Sequence, residues 1–515
     1  MIPWWGLAAG VLGINVLLWG SAGLCRLAGI SLQRRRPRSA PAVRAARLTV
    51  KDVAVLIPAH NEAVVIGDTL TAIMALAPRA NVHVVSDGST DDTVRIARRA
   101  GATVIETREN VGKAGALAEA IGRLGLISRF RVIMLLDADT RVESGYFEAG
   151  LAMFDDPEVV AVAGCVRTAR GRDLTFAGNL LVSHRQRIYA IGQRVLKFGQ
   201  TWARTNATHI VPGFASMYRS EVLPHIDMNP PGLVIEDFNM TFEVYQKRLG
   251  KVGFTLGAVA VTQDPDNFGD YVRQTKRWAV GLWQTVRRHP PRANLFTVML
   301  TVLLLELVTS SMLFLLLPLL LTVLLIPDVA GGAPAWPVFA QVYAVVTVHV
   351  RLSSVLVGIL IPDLALTCVA AAAERQPRLL LFAPFYPAMR LVDAAIGLSA
   401  IPIAWLTRAS GRWRSPARRE ISPAAGPSAA SHGGQAPFRA PQFMAPLAGA
   451  SLASGGVSSP PGHRNGARGA LCGVRPSGCG VTLLWLTEGV SCICTRGFSC
   501  TVTKTSRRPP GKVVR

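Results

Sequence analysis

VIMLLDADT, residues 132–140, runs five apolar residues into two aspartates separated by one alanine. An uninterrupted apolar run of this length reads as a strand buried on both faces, as in a parallel sheet. Side chains alternate along a strand, so Asp137 and Asp139 are expected on one side. Ligands of open parallel sheets bind beyond the carboxyl ends of the strands, where these acids fall. Two carboxylates there suit a hard divalent cation that also takes substrate phosphates. The same short pattern fits a solvated strand end, so the surrounding sequence has to decide.

Moving outward, VAVLI (53–57), VHVVS (82–86) and TVIE (103–106) read as three further strands. Residues 62–77, 91–100 and 113–124 carry helical spacing between them. Alternating strand and helix patterns predict βαβ units, a parallel sheet and right-handed crossovers. The loops PAHNE (58–62) and DGSTDD (87–92) follow the first two strands, so four strand ends converge on one acidic edge. Neither a G-x-G-x-x-G fingerprint nor a P-loop follows the first strand. Asp87 can still accept hydrogen bonds from a base or ribose. Lys113 follows Gly112 at a helix start, where a cation and free N–H groups suit an anion. Singly, Asp87 also fits a turn and Lys113 a solvated lysine; jointly, on one edge, they point to a nucleotide.

Glu236 and Asp237 open the next helical stretch, EDFNMTFEVYQ. They suit a helix N-terminus electrostatically, and a carboxylate beside a cleft also serves as a general base. In YVRQTKRWAVGLWQT (271–285), Gln274, Arg277, Trp278 and Gly281 are spaced to share one helix face. That face offers an amide, a fixed cation that can neutralise a diphosphate, and a flat ring for a sugar or lipid head. It also suits an amphipathic helix on a membrane, with Trp278 and Trp283 as anchors.

The 515 residues are 50% hydrophobic and 17% charged, with a net charge of +23. The apolar residues lie in blocks. Residues 1–28 form a span-length run followed by Arg26, Arg34, Arg35, Arg36 and Arg38. A cleaved signal peptide fits less well, because the charge follows the run. The positive-inside rule puts the next region in the cytosol. Basic excess suits anionic lipid and a nucleotide; zinc spacing, RNP-type strands and basic helix repeats are missing, which excludes nucleic acid as partner. Cys25, Cys165 and Cys368 imply neither a disulfide framework nor a zinc site.

PAHNE, SDGSTDDT, NVGKAGAL, LLDADT, PGFASMYR, IEDFN and QTKRW, in this order, resemble the processive inverting glycosyltransferases of family 2. That group includes synthases of cellulose, chitin, hyaluronan and poly-N-acetylglucosamine. The resemblance covers about residues 50–290 and the apolar region after them. It implies an α/β GT-A fold, a Rossmann-like parallel-rich sheet with flanking helices, joined to an α-helical transmembrane bundle. It also implies a UDP-sugar donor, an inverting mechanism, a polysaccharide acceptor, and Mg2+ or Mn2+ as cofactor. By resemblance Asp139 holds the metal with Asp137 beside it. Pro58, Glu62, Asp87, Lys113, Asp137 and Arg277 fall to the donor, and Glu236, Gln274 and Trp278 to the acceptor. Asp237 matches the catalytic base. Ile235 stands where many members carry Thr.

The expected organisation is an N-terminal transmembrane helix (1–30), a cytosolic catalytic domain (50–290), transmembrane and interfacial helices (295–407), and a low-complexity, disordered tail (421–515). The bundle is read as three apolar blocks, 295–326, 336–361 and 379–406, with the first half of the last along the interface. Glu306, His349, Arg351, Arg390 and Asp393 within them suggest a polar path for a polysaccharide. Arginines at 408–419 favour a cytosolic C-terminus and so an extra pass or re-entrant element within 295–407. The protein is expected at the plasma membrane as a multi-pass enzyme, with export partner proteins. Two competing readings remain: single transfer to a membrane lipid, and a scaffold or transporter subunit carrying an inactive domain.

Overall fold

The computed structural model describes residues 3–35, 47–169, 171, 173–330, 336–407, 491–494 and 500–503. The expected apolar runs form β1 (Val53–Ala59), β2 (Val82–Ser86), β3 (Thr103–Glu106) and β4 (Val132–Leu136). With β5 (Arg141–Val142), β6 (Val159–Ala169), β7 (Ala215–Arg219) and β8 (Lys251–Gln263) they build an eight-stranded sheet, ordered β3-β2-β1-β4-β7-β6-β8-β5. The first four strands are mutually parallel; β7 runs antiparallel to β4 and to β6.

Alternation along each strand divides the core. Val55, Ile57, Met134 and Leu136 face α2 (Ile66–Met74) through Leu70 and Ile73. Ala54, Leu56, Ile133 and Leu135 face α4 (Gly112–Arg123) through Ala116, Leu117 and Ala120. α3 (Thr93–Ala100) completes the first layer. All of β1, β2 and β4 is buried, as expected for strands covered on both sides. The helix expected over 62–77 is shorter, because residues 62–65 form a turn closed by Glu62 O accepting from Val65 N at 3.1 Å.

One premise fails locally. β4 ends at Leu136, and Asp137–Asp139 lie in a turn in which Thr140 N donates to Asp137 O at 3.0 Å. Strand alternation therefore does not set the direction of these two aspartates; the turn does.

α5 (Phe176–Ile191) starts at Thr175, whose hydroxyl accepts from Gly178 N, and ends in a π-helical turn over Gly192–Lys197. α6 (Glu236–Gln246) and α7 (Phe268–Arg288) follow. Among the described residues, four helical segments have the length and apolarity to cross a membrane: Trp4–Leu32, Leu295–Pro327, Leu352–Glu374 and Pro377–Leu406. They belong to α1 (Trp4–Arg35), α8 (Leu295–Ala330), α10 (Leu352–Glu374), and a 3-10 segment, Pro377–Phe385, leading into α11 (Tyr386–Leu406). The block expected over 336–361 is not one helix. α9 (Pro337–His349) stops at extended Val350 and Arg351, and α10 begins afresh and reaches Glu374. α9 has 13 residues, too few to span a bilayer at ~1.5 Å per residue.

The intramembrane acid expected to mark a sugar path has a structural partner. α1 is interrupted at Gly13, whose φ is 79°. Just past the break, Asn15 donates to Glu306 from its backbone N at 2.8 Å and its Nδ2 at 3.0 Å. A Cβ on Gly13 would collide with that carboxylate. Glu306 thus satisfies backbone that the kink frees, which apolar surroundings demand.

Asp363, Glu374 and Asp393 of the apolar helices turn toward the α/β domain. Asp363 accepts from Arg187 of α5 at 2.7 Å and from Arg390 at 2.9 Å. Asp393 lies 2.9 Å from His184 Nε2 and accepts from Tyr271 at 2.6 Å. Arg194 donates to Glu374 at 2.9 Å. These side chains dock α5 and α7 on α10 and α11; a sugar path was the expectation for Arg390 and Asp393.

The basic residues at 408–419 and most of the tail expected to be disordered lie outside the described residues. Within the tail, Ser491–Cys494 and Cys500–Thr503 pair antiparallel.

Asp363 and Arg187 are both 4% exposed at the side chain. Replacing Asp363 by Ala leaves buried Arg187 without its counter-charge, which costs about 3–5 kcal/mol for such pairs. Thermal unfolding of Asp363→Ala in detergent should show a clearly lowered midpoint, and Asp363→Asn a smaller drop.

Candidate active site

The carboxyl ends of β1 and β4, the 212–214 loop, the start of α6, the end of α5 and one face of α7 enclose a cavity of about 1060 Å³. Glu62, Lys113, Asp137, Asp139, Glu236, Asp237, Gln274, Arg277 and Trp278 all line it. Nine residues singled out from separate motifs are therefore brought together.

Lys113 is the hub. Its Nζ lies 2.7 Å from Asp137 Oδ1 and 3.1 Å from Glu236 Oε1, and donates to Gly213 O at 3.3 Å. Burial alone would lower its pKa, but Asp137 and Glu236 raise it above the usual lysine value. Burial pushes Asp137 up, opposed by Lys113 and reinforced by Asp139. For Glu236 burial also acts upward, but Lys113 outweighs it and the carboxyl stays below its ordinary value.

Asp237, one residue on, behaves oppositely. Burial and then the charge of Glu236 push its pKa from 3.8 to about 7. Backbone N–H groups of Gly213 at 3.2 Å and Phe238 at 2.8 Å hold its oxygens. Adjacent carboxyls driven apart in this way are suited to different roles, and a carboxylate near pKa 7 is a competent base at neutral pH.

Pro58 and Asp87 are not in the cavity lining. Pro58 is buried within β1. Asp87 is fully buried, and it accepts from Val111 N and Gly112 N at 2.9 Å each and from Thr107 Oγ1 at 3.1 Å. Of the N–H groups expected free for an anion at the start of α4, those of Val111 and Gly112 are taken by the carboxylate of Asp87. Asp87 fixes the helix start, and Lys113, its second residue, is aimed at Asp137 and Glu236.

For a metal, the fit depends on ligand number. Among the described residues no group of three or more His, Cys, Asp or Glu could hold one. Asp137 and Asp139 do share the cavity wall, which suits a cation that takes one or two carboxylates and completes its shell from substrate phosphates.

Several lining or supporting residues carry no motif. Arg185 on α5 donates to Thr275 Oγ1 at 2.6 Å and Gln274 Oε1 at 3.3 Å. Its guanidinium lies 4.5 Å from the Tyr271 ring centre and 4.4 Å from that of Trp278. It therefore holds the α7 face in register. Asp264 lines the cavity and accepts from Thr168 at 2.8 Å and Tyr189 at 2.9 Å. Lys197 and His209 also reach the wall. None of these residues sits in a motif, so sequence reasoning passed over them.

Residues 51–281 match the family described as "Glycosyltransferase like family 2". A probable glycosyltransferase, YdaM of Bacillus subtilis (strain 168), is 30% identical over 240 residues, covering 44% of this chain and 54% of that protein. A 4,4'-diaponeurosporenoate glycosyltransferase of Staphylococcus aureus (strain bovine RF122 / ET3-1) is 45% identical over 56 residues, 11% of this chain and 15% of that protein. A mannosyltransferase of Pyrobaculum calidifontis, solved with GDP-Man and Mn2+, overlaps 76% of this chain and 99% of its own at 19% identity and TM-score 0.42. The chain spans about half the length of its full-domain relative, 54%. Residues 51–281 are thus similar to family 2 glycosyltransferase domains, and their fold is α/β with a mostly parallel sheet.

The raised pKa of Asp237 has a thermodynamic sign. Its folded value, about 7, exceeds the ordinary 3.8, so the folded chain binds the extra proton and loses stability as pH rises between them. Asp237→Asn lacks this loss. Its unfolding free energy, read from denaturant melts, should match wild type near pH 4, exceed it increasingly toward pH 7, and stay above it by on the order of 1–3 kcal/mol beyond, after discounting for solvent in the cavity.

Proposed function

We propose that this chain is an inverting glycosyltransferase that moves a sugar from a UDP-sugar to a hydroxyl of an acceptor at the membrane, extending a β-linked polysaccharide. One observation carries the reading: Asp237, poised near neutrality, shares a cavity with Lys113, Asp137, Asp139 and Arg277.

The mechanism follows from those groups. The acceptor hydroxyl gives its proton to an Asp237 oxygen as it attacks the anomeric carbon opposite the leaving diphosphate. Configuration inverts, so an α-linked donor gives a β-linkage. Arg277, in the cavity wall with no ion-pair partner among the described residues, neutralises charge growing on the diphosphate. Glu236 is held ionised by Lys113, which keeps a second negative charge beside Asp237 and its basicity high. Asp139, with Asp137, would hold Mg2+ or Mn2+, which supplies further charge neutralisation on the diphosphate. Pro58 and Asp87 support the donor site from behind it, through β1 and the start of α4. Trp278 offers a face to the acceptor sugar, steadied by Arg185.

Chain extension is favoured by the Q-x-x-R-W face on the cavity and by the apolar helices against which it packs. Trp283 of the same helix meets Ala400 and Ala404 of α11. The catalytic domain is placed in the cytosol of a plasma-membrane, multi-pass protein, with export partners beyond the membrane. Single transfer to a lipid has its own support, since Leu303 of α8 forms part of the cavity wall. An inactive scaffold fits poorly with Asp137, Asp139, Glu236 and Asp237 all present.

Membranes containing the protein, given a panel of UDP-sugars, should release UDP with at least one; release with none sinks the transferase reading. Product length on a gel separates polymer from single transfer. Asp237→Asn should lower transfer on the order of 10²–10⁴-fold while UDP still binds. Wild-type rate should fall as pH drops below about 7, the value to which Asp237 is raised; a rate flat from pH 5 to 8 would remove Asp237 from the base role.

A further inference from the structure

Lys197 closes the π-helical turn at the end of α5 and lines the cavity, yet it is 7% exposed. Among the described residues its ammonium has no ion-pair or hydrogen-bond partner. A buried ammonium that no carboxylate or carbonyl touches directly is costly, and π-helical turns are rare and concentrate at functional sites. His209 joins it in the wall with a buried Nδ1 that has no partner. Gln200, one turn beyond Lys197, completes the cluster.

This cluster sits where the catalytic domain meets two candidate membrane spans. Gly199 packs so closely on α1 that a Cβ there would collide with Trp19 O. Arg26 of α1 donates to Phe198 O at 2.8 Å and Thr201 Oγ1 at 3.2 Å. A small cavity of about 10 Å³ adjoins the large one at Gln200, His209 and Leu303, and runs between Trp19 of α1 and Phe296 and Leu300 of α8. Polar donors on one side and apolar span residues on the other match a molecule with an anionic head and an apolar tail.

We infer that Lys197, with Gln200 and His209, forms an anion-binding acceptor subsite that takes the phosphate of a lipid whose head group also carries the attacking hydroxyl. The inference rests on the reading of the cavity as the transfer site and follows its single-transfer form, with a lipid in place of the polysaccharide as acceptor. Asp237 is near enough to raise Lys197, but burial dominates and leaves it lowered to about 8, still mostly protonated at neutral pH. His209, lowered to about 3 first by burial and then by Lys197, is neutral and offers a ring N–H. Lys113 and Arg277, the other cavity cations, belong to the acid cluster and the donor, so Lys197 is left for the acceptor. No bond to Lys197 forms or breaks: the lipid hydroxyl still passes its proton to Asp237, and the phosphate keeps its charge against the ammonium.

The test uses full-length protein in detergent and labelled dioctanoyl phosphatidylglycerol, with dioctanoylglycerol as uncharged match. Wild type should bind the phosphate lipid at least tenfold more tightly. Lys197→Met should erase that preference, and Lys197→Arg should keep most of it. Equal binding of the two lipids by wild type overturns the proposal without any variant, so misfolding of Lys197→Met cannot protect it. An unchanged preference in Lys197→Met overturns it as well. Inorganic phosphate displacing the lipid at equal concentration would assign the subsite to a free anion. A glucuronate tetrasaccharide displacing it only when Lys197 is present would assign it to an acidic sugar; either result overturns the lipid. UDP release from the donor panel is read separately: its absence, with lipid binding intact, defeats the transferase reading and overturns the acceptor role, leaving only a lipid-phosphate site at Lys197.

Discussion

Everything at the site depends on one ammonium. Lys113 stands between Asp137, at the end of β4, and Glu236, at the start of α6. Without it, the carboxyls of Asp137, Asp139, Glu236 and Asp237 would share one cavity with strong mutual repulsion, and several would stay protonated. With it, Glu236 is held charged, and that charge together with burial lifts Asp237 toward neutrality. The reach of Lys113 is in turn set by Asp87, which clamps the first backbone N–H groups of α4. A buried carboxylate that touches nothing in the cavity thereby decides where the cavity's charges fall.

Much of this was legible in the sequence, for stated reasons. β1, β2 and β4 were readable because strands covered on both faces show continuous apolar runs bounded by polar loops. The clustering of Lys113, Asp139 and Asp237 was readable because each follows a strand end or opens a helix, and Arg277 because it is spaced to share a helix face with Gln274 and Trp278. The reasoning for Asp137 and Asp139 reached the right wall by a wrong route, since strand alternation stops at Leu136 and a turn takes over. Asp87 looked like a ligand contact because acidic loops after parallel strands often are; its backbone partners become visible only when the chain is folded.

What stayed hidden has a common cause. Arg185, Lys197 and His209 gain meaning from neighbours distant in sequence, not from their local pattern. Arg185 is significant because Tyr271 and Trp278 lie on either side of it. The interruption at Val350 and Arg351 was masked because apolar composition continues through it, and composition alone does not report where a helix stops. The kink at Gly13 was equally silent, since glycine is common in apolar helices.

The ties between α5 and the apolar helices bear on how the chain is made. Arg187 meets Asp363, 176 residues later; Arg194 meets Glu374, 180 later; His184 meets Asp393, 209 later. At ribosomal speeds of about 5–20 residues per second, the nascent α5 waits roughly 9–35 s for the first of these partners. During that interval its guanidinium groups stay hydrated and the helix cannot settle. The sheet can close early, but the wall that α5 contributes is finished only after α10 and α11 have been synthesised. Completion of the cavity is therefore coupled to the last apolar helices, and a chain cut short before them would lack the partners that fix α5.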